Sequence, residues 1–430
     1  MHLMGIVGVG TMVLLTVLLS YDRQHIAWRR AAQALALWVV LAVILLTTVG
    51  RRVLGALGGV FDALLRFQDV GARYILGNLA QGSLPVGIPG PDRGFDASGG
   101  FVARVGAVFA VNVITALVFL GALISLLYYL GIMDRLVKAA AWVMQRTLRA
   151  SGAEAIATAA NVFLGAGQVP LLIKPYIARL TPSELVTVMV VGFATASSAI
   201  MAVYVGLLQR HVPGIGGEIL TASVLNATAG LMLSKLLMPE TGTPVTANTV
   251  DIVSEGDAGG VIDSAAKGAL QGMQIGLGIV AIVAAFVALL AMGDAGLGWI
   301  GRLLGHPDAS LRSVLGGMLR PLMWVMGIPW ADTAYVGGLV ALKVTLVDLV
   351  AYTQLATDIG NGIVLDPRTR TICIYALLGF ANFTTIGVEV GAIGGLAPER
   401  RAEVARYGLR TMLVGNLAGF MSASLAGMLA

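Results

Sequence analysis

The stretch GFANFTTIGVEVG, residues 379–391, places polar side chains in the middle of an apolar run that extends over residues 371–396. Asn382, Thr385 and Glu389 follow one another at intervals of three and four residues, so they share one face if the segment is helical. A charged residue at the bilayer centre costs about 2.5–3.5 kcal/mol on insertion scales, and such residues mark pathways for solutes or ions. The stretch therefore predicts a broken membrane helix that lines a polar cavity.

The rest of the chain has the composition of an integral membrane protein. Of its 430 residues, 57% are hydrophobic and only 12% are charged, whereas soluble domains are about 45–50% apolar and about 25% charged. Eight apolar stretches are close to the roughly 20 residues that a helix needs to cross a bilayer. They are residues 3–21, 31–50, 101–133, 184–208, 219–238, 270–292, 371–396 and 407–430. The sequence therefore predicts an all-α protein with eight transmembrane helices.

Basic residues gather after the first and third apolar stretches and before the last one. They are Arg23, Arg29, Arg30, Arg135, Lys138, Arg146, Arg149, Arg400, Arg401 and Arg406. These three segments fall on one side of the membrane by parity, and the positive-inside rule assigns that side to the cytoplasm. We therefore expect a multi-pass protein of the plasma membrane, a bacterial inner membrane, with both termini outside.

Composition also excludes several classes of function. The net charge of +5 is spread over the loops and indicates no nucleic-acid partner. The single cysteine excludes an internal disulfide framework, and four scattered histidines indicate no metal cluster. An enzyme would need a nucleophile with a base or a set of metal ligands, and neither is found. We expect no enzyme activity and no organic cofactor.

The segment between the second and third apolar stretches is amphipathic rather than apolar. Within residues 54–79, four charged residues recur at intervals of three or four: Asp62, Arg66, Asp69 and Arg73. This pattern predicts a helix that lies along the membrane interface. Proline and glycine in residues 81–100 predict a loop, and a second, polar loop is predicted at residues 239–260.

Two further apolar segments are too short or too interrupted to cross the membrane. Residues 151–180 contain a helix of small residues, a break at residues 165–170 and a returning apolar stretch. Residues 326–356 repeat the pattern, with a glycine pair at 337–338 and Asp348. Both predict re-entrant hairpins, and irregular backbone at membrane depth is tolerated only where protein or a watery cavity satisfies it.

A similar short sequence follows each of the two hairpins, which indicates an internal repeat. GFATASS (192–198) comes after the first and GFANFTT (379–385) after the second, and each unit runs from hairpin to interrupted helix to final helix. Parity places the units in opposite orientation, as in transporters with inverted repeats whose binding site lies at the midplane. The predicted division is residues 1–150 for scaffold helices, 151–238 for the first transport unit, 239–325 for a loop and a further scaffold helix, and 326–430 for the second transport unit.

These stretches resemble the concentrative nucleoside transporter family. The resemblance is carried by NVFLGAGQVPLLIKPYIARLTPSEL (161–185), GFATASS (192–198), GIPW (327–330), ALKVTLVDLVAY (341–352) and YALLGFANFTTIGVEVGAIGGLAPERR (375–401). It implies eight spans, two re-entrant hairpins, an interfacial helix and a homotrimer with one pathway per subunit. It also implies import of nucleosides by sodium symport, with the hairpin units moving against the scaffold.

The resemblance also implies roles for individual residues. The ribose contacts fall on Asp348, Asn382 and Thr385, since a carboxylate and an amide suit a sugar diol. The nucleobase contacts fall on Ala166, Gly167 and Gln168, with Ile200 and Phe380 as apolar walls. The sodium ligands fall on the side chains of Asn161 and Thr195 and on the carbonyls of Leu164 and Ala196, because a hard cation prefers oxygen ligands.

The chain departs from the family at three places. On the second hairpin the usual Asn-Glu-Phe is replaced by Val347, Asp348 and Leu349, and Asp348 reaches about 1 Å less far into the cavity than a glutamate would. The family commonly has Gln-Thr-Glu where this chain has Ala166, Gly167 and Gln168, which removes a negative charge from the tip of the first hairpin. Glu389 stands where the family has an amide, and it returns one carboxylate to the cavity side; a structural ion pair is an equal alternative for it.

The sequence leaves alternatives for the function itself. Coupling to protons instead of sodium is open because Asp348 and Glu389 could be protonated in place of a bound cation. The altered first tip leaves open a different polar cargo, such as a modified nucleoside or a sugar-containing metabolite. A gate or receptor that keeps the fold without transporting is a third possibility.

Overall fold

The computed structural model describes residues 4–81, 83–89, 95–104, 109–148, 150–209, 211–246, 259–303, 305 and 310–429. Over these residues the chain is helical except for one antiparallel pair of strands. The first half contains α1 (Met4–Leu19), α2 (Trp28–Leu46), α3 (Thr48–Leu76), β1 (Ser83–Pro89), β2 (Phe95–Arg104), α4 (Phe109–Tyr129), α5 (Ile132–Leu148), α6 (Gly152–Asn161), α7 (Val169–Leu172), α8 (Lys174–Ile177), α9 (Pro182–Ala194), α10 (Ser198–Leu208) and α11 (Ile215–Leu237). The second half contains α12 (Val261–Leu303), α13 (Leu311–Val325), α14 (Trp330–Thr345), α15 (Asp348–Gly360), α16 (Pro367–Leu377), α17 (Phe383–Leu396) and α18 (Arg401–Leu429).

Each of the eight predicted spans overlaps one of these helices or a pair of them. By length and composition, five stretches of the described chain are able to cross a membrane, and two bent helix pairs raise the number to at most seven. The five are Trp28–Leu46, Pro182–Leu208, Ile215–Leu237, Val261–Leu303 and Pro398–Leu429. The predicted all-helical, multi-pass membrane fold is therefore confirmed, whereas the number of eight spans stays a prediction.

The third predicted span, residues 101–133, is wrong at both ends. Its first residues belong to β2, and α4 ends at Tyr129, where Gly131 turns the chain with a φ of 68°. Glycine adopts this left-handed conformation without a steric penalty and commonly ends helices. The next helix, α5, then bends away from α4 by 77°.

The predicted proline and glycine loop at residues 81–100 contains most of a β-hairpin. β1 and β2 pair antiparallel, with Val86 opposite Phe101 and Pro85 opposite Val102. Both strands of a two-stranded ribbon are edge strands, so a proline without an N–H is tolerated there. Residues 90–94 between the strands and residues 247–258 of the second predicted loop lie outside the described residues.

Both predicted hairpins are pairs of helical arms joined by a non-helical segment. In the first, α6 ends at Asn161 and the chain returns through α7 and α8; residues 162–168 form what we call the first hairpin tip. In the second, α14 and α15 are separated at residues 346–347. The glycine pair of the second segment lies within α14 instead, where a Cβ on Gly337 would come 2.7 Å from the carbonyl oxygen of Gly316 in α13.

The two interrupted helices cross at their interruptions. The first break, residues 195–197, separates α9 from α10, and the second break, residues 378–382, separates α16 from α17. The N–H of Phe380 donates to the carbonyl of Thr195 at 3.1 Å. Gly379 has a φ of 113°, and a Cβ there would lie 2.6 Å from the carbonyl oxygen of Ala194. The second break therefore passes directly over the first.

Candidate functional site

The first hairpin tip is tied to the first break. The carbonyl of Phe163 accepts hydrogen bonds from the N–H and the hydroxyl of Ser198, at 3.0 and 2.8 Å. Ser197 begins α10 as its N-cap and accepts from the N–H of Ile200 at 3.4 Å. The Thr195 hydroxyl donates to the carbonyl of Val191 at 2.9 Å, which leaves its oxygen able to accept. The tip and the break are therefore held as one local structure.

The four residues predicted to bind sodium lie in this local structure. Asn161 is the last residue of α6 and Leu164 lies in the tip, whereas Thr195 and Ala196 form the first break. All four are buried, and neither the amide oxygen nor the amide nitrogen of Asn161 has a hydrogen-bond partner among the described residues. A buried polar group without a partner is unfavourable by about 1–3 kcal/mol. The amide oxygen fits a hard cation, which would supply the missing partner.

A transition-metal site is not found in the described part of the chain. No group of three or more His, Cys, Asp or Glu side chains is arranged there to hold a metal ion. The four residues predicted to bind sodium offer neutral side-chain and backbone oxygens, which suit a hard cation.

Asp348, the predicted sugar ligand, is buried and is bound by protein groups on both carboxylate oxygens. Its Oδ2 accepts a hydrogen bond from the hydroxyl of Tyr204 in α10, and its Oδ1 accepts from the N–H of Leu349 at 3.0 Å. Asp348 is also the first residue of α15, where the helix dipole favours a negative charge. The second hairpin is therefore joined to the helix that follows the first break.

Tyr204 is a neighbour of the site that the sequence analysis missed. Its ring stacks on that of Tyr352 with 4.1 Å between centroids, and the Tyr352 hydroxyl donates to the carbonyl of Ile374 at 2.7 Å. Both rings are fully buried. A tyrosine in an otherwise apolar span needs a hydrogen-bond partner for its hydroxyl. That requirement could have identified Tyr204 from the sequence as a neighbour of a polar site.

Lys343 is the second missed residue, and it closes the second break. Its side chain is fully buried in α14, and its Nζ donates to the carbonyls of Ala376 and Leu378 at 2.9 and 3.2 Å. These carbonyls lie at the end of α16, where they leave the helical ladder. Lys343 also interacts electrostatically with Asp348. Lys343 could have been found from the sequence in the same way as Asp348, because it is a charged residue within an apolar hairpin arm at membrane depth.

Two buried amides complete the closure of the second break. The Nδ2 atom of Asn226 in α11 donates to the carbonyl of Leu378 at 3.4 Å, and that of Asn416 in α18 donates to the carbonyl of Ala381 at 2.9 Å. Both asparagines are buried. The second break is therefore held by side chains from three different helices.

Asn382 and Thr385, the other predicted sugar contacts, form the start of α17. The side-chain oxygen of Asn382 accepts from both the N–H and the hydroxyl of Thr385, each at 3.0 Å. This is an N-cap, and it uses the acceptor of Asn382 while its amide NH₂ group is still a donor. Among the described residues no hydrogen bond joins Asn382 to Asp348, so the two predicted sugar contacts are not directly paired.

The predicted nucleobase side lies around the first hairpin tip. Gln168 precedes α7 as its N-cap residue and is half-buried, and Ile200 is buried in the first turn of α10. A Cβ on Gly165 would lie 3.8 Å from the ring of Phe380, and a Cβ on Gly167 would lie 3.4 Å from Val388. The structure thus brings the ring of Phe380 and the helix α17 next to the tip.

Glu389, in the same helix α17, is also next to the tip. It is 1% exposed, and its Oε2 atom has no hydrogen-bond partner among the described residues. A Cβ added to Gly192 of α9 would collide with its Oε1 and would lie 3.1 Å from the Cβ of Ala166. No ion pair of the described chain includes Glu389, so the structural ion pair considered for it is not formed there.

Comparison with known proteins places this arrangement in context. Three family models match the chain: the Na⁺-dependent nucleoside transporter N-terminus over residues 7–79, the nucleoside-recognition Gate over residues 110–210 and the Na⁺-dependent nucleoside transporter C-terminus over residues 218–427. An uncharacterized transporter of Haemophilus influenzae is 35% identical, covering 99% of this chain and 97% of that protein. The putative nucleoside permease NupX of Escherichia coli is also 35% identical, covering 97% of both chains. The structure of CNTnw in an inward-facing substrate-bound state has a TM-score of 0.87 and 34% identity, covering 100% of this chain and 98% of that one.

Proposed function

The chain belongs to the family of Na⁺-dependent nucleoside transporters, and on that premise we propose that it imports a nucleoside together with one or more sodium ions bound at the first break. The observation that carries the proposal is the amide of Asn161, which is buried beside the first hairpin tip and has no hydrogen-bond partner in the part of the chain that the structure describes. Because the family consists of transporters, the chain is a transporter and not an enzyme.

The sodium ligands in this proposal are Asn161, Leu164, Thr195 and Ala196. Their positions at the end of α6, in the first hairpin tip and in the first break support the proposal. The carbonyl of Thr195 already accepts from Phe380 of the second break. An ion at the first break would therefore stiffen the place where the two interrupted helices cross. That gives a physical route by which sodium promotes binding of the solute.

The solute in this proposal lies between the two hairpins. Asp348, Asn382 and Thr385 bind the sugar hydroxyls, and Gly167 and Gln168 face the base between Ile200 and Phe380. Asp348 supports this role because it is buried, and its two protein hydrogen bonds leave carboxyl lone pairs free for a sugar hydroxyl.

Uptake of labelled uridine into proteoliposomes tests the proposal. Replacing sodium by choline at fixed pH should abolish uptake, and unchanged uptake would reject sodium as the coupling ion. Proton coupling is the second candidate, because both Asp348 and Glu389 are buried carboxylates. It predicts uptake that persists in choline and rises when the external pH is lowered.

Cargo and activity are tested separately. A thermal-shift screen of nucleosides and sugar-containing metabolites, with and without sodium, identifies the solute because a ligand raises stability by mass action. Counterflow of the labelled solute distinguishes a transporter from a gate or receptor, since a receptor binds without exchanging it.

Assembly and topology belong to the same proposal. We place the chain in a bacterial inner membrane as a homotrimer, with both termini outside. Large apolar side chains are exposed on the long helix α12, among them Leu270, Met292 and Trp299, and such a face suits contact with lipid or with another subunit. In this proposal residues 151–238 and 326–430 move against the rest of the chain during transport.

A further inference from the structure

Glu389 lies between α9 and the first hairpin tip. Its Oε1 atom and the Cβ of Ala166 are both next to the point where Gly192 of α9 lacks a Cβ. The neighbouring residue, Val388, would contact a Cβ on Gly167 in the tip at 3.4 Å. The small residues Ala166, Gly167 and Gly192 therefore allow the carboxyl group of α17 to come close to the tip.

The carboxylate of Glu389 lacks the partners that a structural carboxylate has. Three other buried carboxylates, those of Glu154, Glu184 and Asp348, each accept hydrogen bonds from protein groups on both oxygens. Glu389 differs because its buried Oε2 accepts none from the described residues. A buried carboxyl oxygen without a hydrogen-bond donor is unfavourable. A bound ligand that donates a hydrogen bond to Oε2 would therefore be stabilised at this position.

We propose that Glu389 is a specificity-determining residue that accepts a hydrogen bond from an N–H group of the nucleobase. The proposal rests on the proposed function and assigns the ligand class, namely bases that carry an imide or amino N–H on the edge facing the tip. The apolar wall of Phe380 suits the face of a base, whereas a carboxylate acceptor suits its N–H edge. A base in which that N–H is blocked by a methyl group would leave Oε2 without a donor.

Binding of uridine and of N3-methyluridine to the full-length purified protein, in saturating sodium, tests this inference. The wild type should bind uridine at least about tenfold more tightly, because a site that accepts an N–H rejects the analogue that lacks it. Glu389→Met keeps the length of the side chain and removes the acceptor, so the preference should fall to about threefold or less. Glu399→Gln is the matched control, since Glu399 is exposed just beyond α17 and its loss should leave the preference unchanged.

A second variant displaces the carboxylate without removing it. Gly192→Ala puts a methyl group where Oε1 lies, so it should also reduce the preference for uridine. Gly206→Ala is its control, because a Cβ on Gly206 of α10 would meet no atom within 4 Å. The two variants together keep the test valid if one of them fails to fold.

The outcomes separate this inference from the proposed function. A wild type that binds uridine and N3-methyluridine equally well, or folded Glu389→Met and Gly192→Ala variants that keep the full preference, would overturn the role of Glu389 alone. A Glu389→Met variant that loses only the pH dependence of uptake would assign the carboxylate to proton coupling and would overturn it too. A wild type that binds no nucleoside at all would overturn the proposed function along with it.

Discussion

The letters GFA precede the first break and lie within the second, but the two breaks are closed by different chemistry. At the second break, the ammonium of Lys343 and the amides of Asn226 and Asn416 donate to buried backbone carbonyls at and just before the break. At the first break, the neighbouring Asn161 is neutral and has no partner among the described residues. One unit thus carries its own cationic side chain at the break, whereas the other has an unpartnered neutral amide there. Under the proposed function, the second break is a permanent joint and the first break depends on a bound ion.

The largest expected effect comes from removing the cationic side chain. Lys343→Met leaves the carbonyls of Ala376 and Leu378 without their ammonium donor and leaves Asp348 without a nearby positive charge. We expect the free energy of unfolding to fall by about 3 kcal/mol and uptake to be lost. Thermal unfolding of the purified variant measures this, with Lys343→Arg as the charge-preserving comparison. A methionine variant as stable as the wild type would show that the second break does not depend on Lys343.

The next effect concerns the crossing of the two breaks. Gly379→Ala places a methyl group 2.6 Å from the carbonyl oxygen of Ala194, at a φ of 113° that alanine rarely adopts. We expect a loss of about 1–3 kcal/mol in stability. Gly387→Ala is the control within α17, where nothing lies within 4 Å of the new Cβ, and it should be neutral or slightly stabilising. Equal melting temperatures for both variants would contradict the crossing.

A smaller effect is expected at the contact between the second hairpin and α10. Tyr204→Phe removes the hydroxyl that donates to Asp348, so the protein without solute should lose about 1–2 kcal/mol of stability. Added nucleoside should recover part of that loss, because a sugar hydroxyl replaces the missing donor. The nucleoside-induced thermal shift should therefore be larger in the variant than in the wild type. Tyr74→Phe, at an exposed position of α3, is the control.

The smallest loss of stability is expected at the first break. Asn161→Leu removes an amide that has no partner in the described chain, so without sodium the free energy of unfolding should not fall and should rise by up to about 3 kcal/mol. The stabilisation that sodium gives the wild type should disappear, since the ion loses a ligand. Thermal unfolding over a range of sodium concentrations measures both quantities. A variant that keeps the sodium-dependent shift would remove Asn161 from the ion site.

The sequence alone determined those features that depend on neighbours along the chain. The lengths of the apolar stretches predicted the spans, because a helix needs about 20 apolar residues to cross the hydrocarbon region. Polar interruptions such as GFANFTT and GFATASS predicted the broken helices, because polar groups at that depth must be satisfied by protein or water. The two hairpins followed from the same argument. Two predictions failed for local reasons. The third span ends earlier than predicted because Gly131 turns the chain. The predicted proline and glycine loop contains paired strands, because proline is tolerated where both strands are edge strands.

Only the tertiary structure decided which side chains serve each break. Lys343 lies 35 residues from Leu378 along the chain, and Tyr204 lies 144 residues from Asp348. Such partners are fixed by how the helices pack, and no spacing rule in the sequence connects them. The sequence indicated which polar groups lie in the membrane and therefore need partners. Only the packing of the helices decided which groups those partners are. It also left Asn161 and Glu389 with unpartnered atoms among the described residues, and these atoms are the reason that we propose ligand-binding roles for the two side chains.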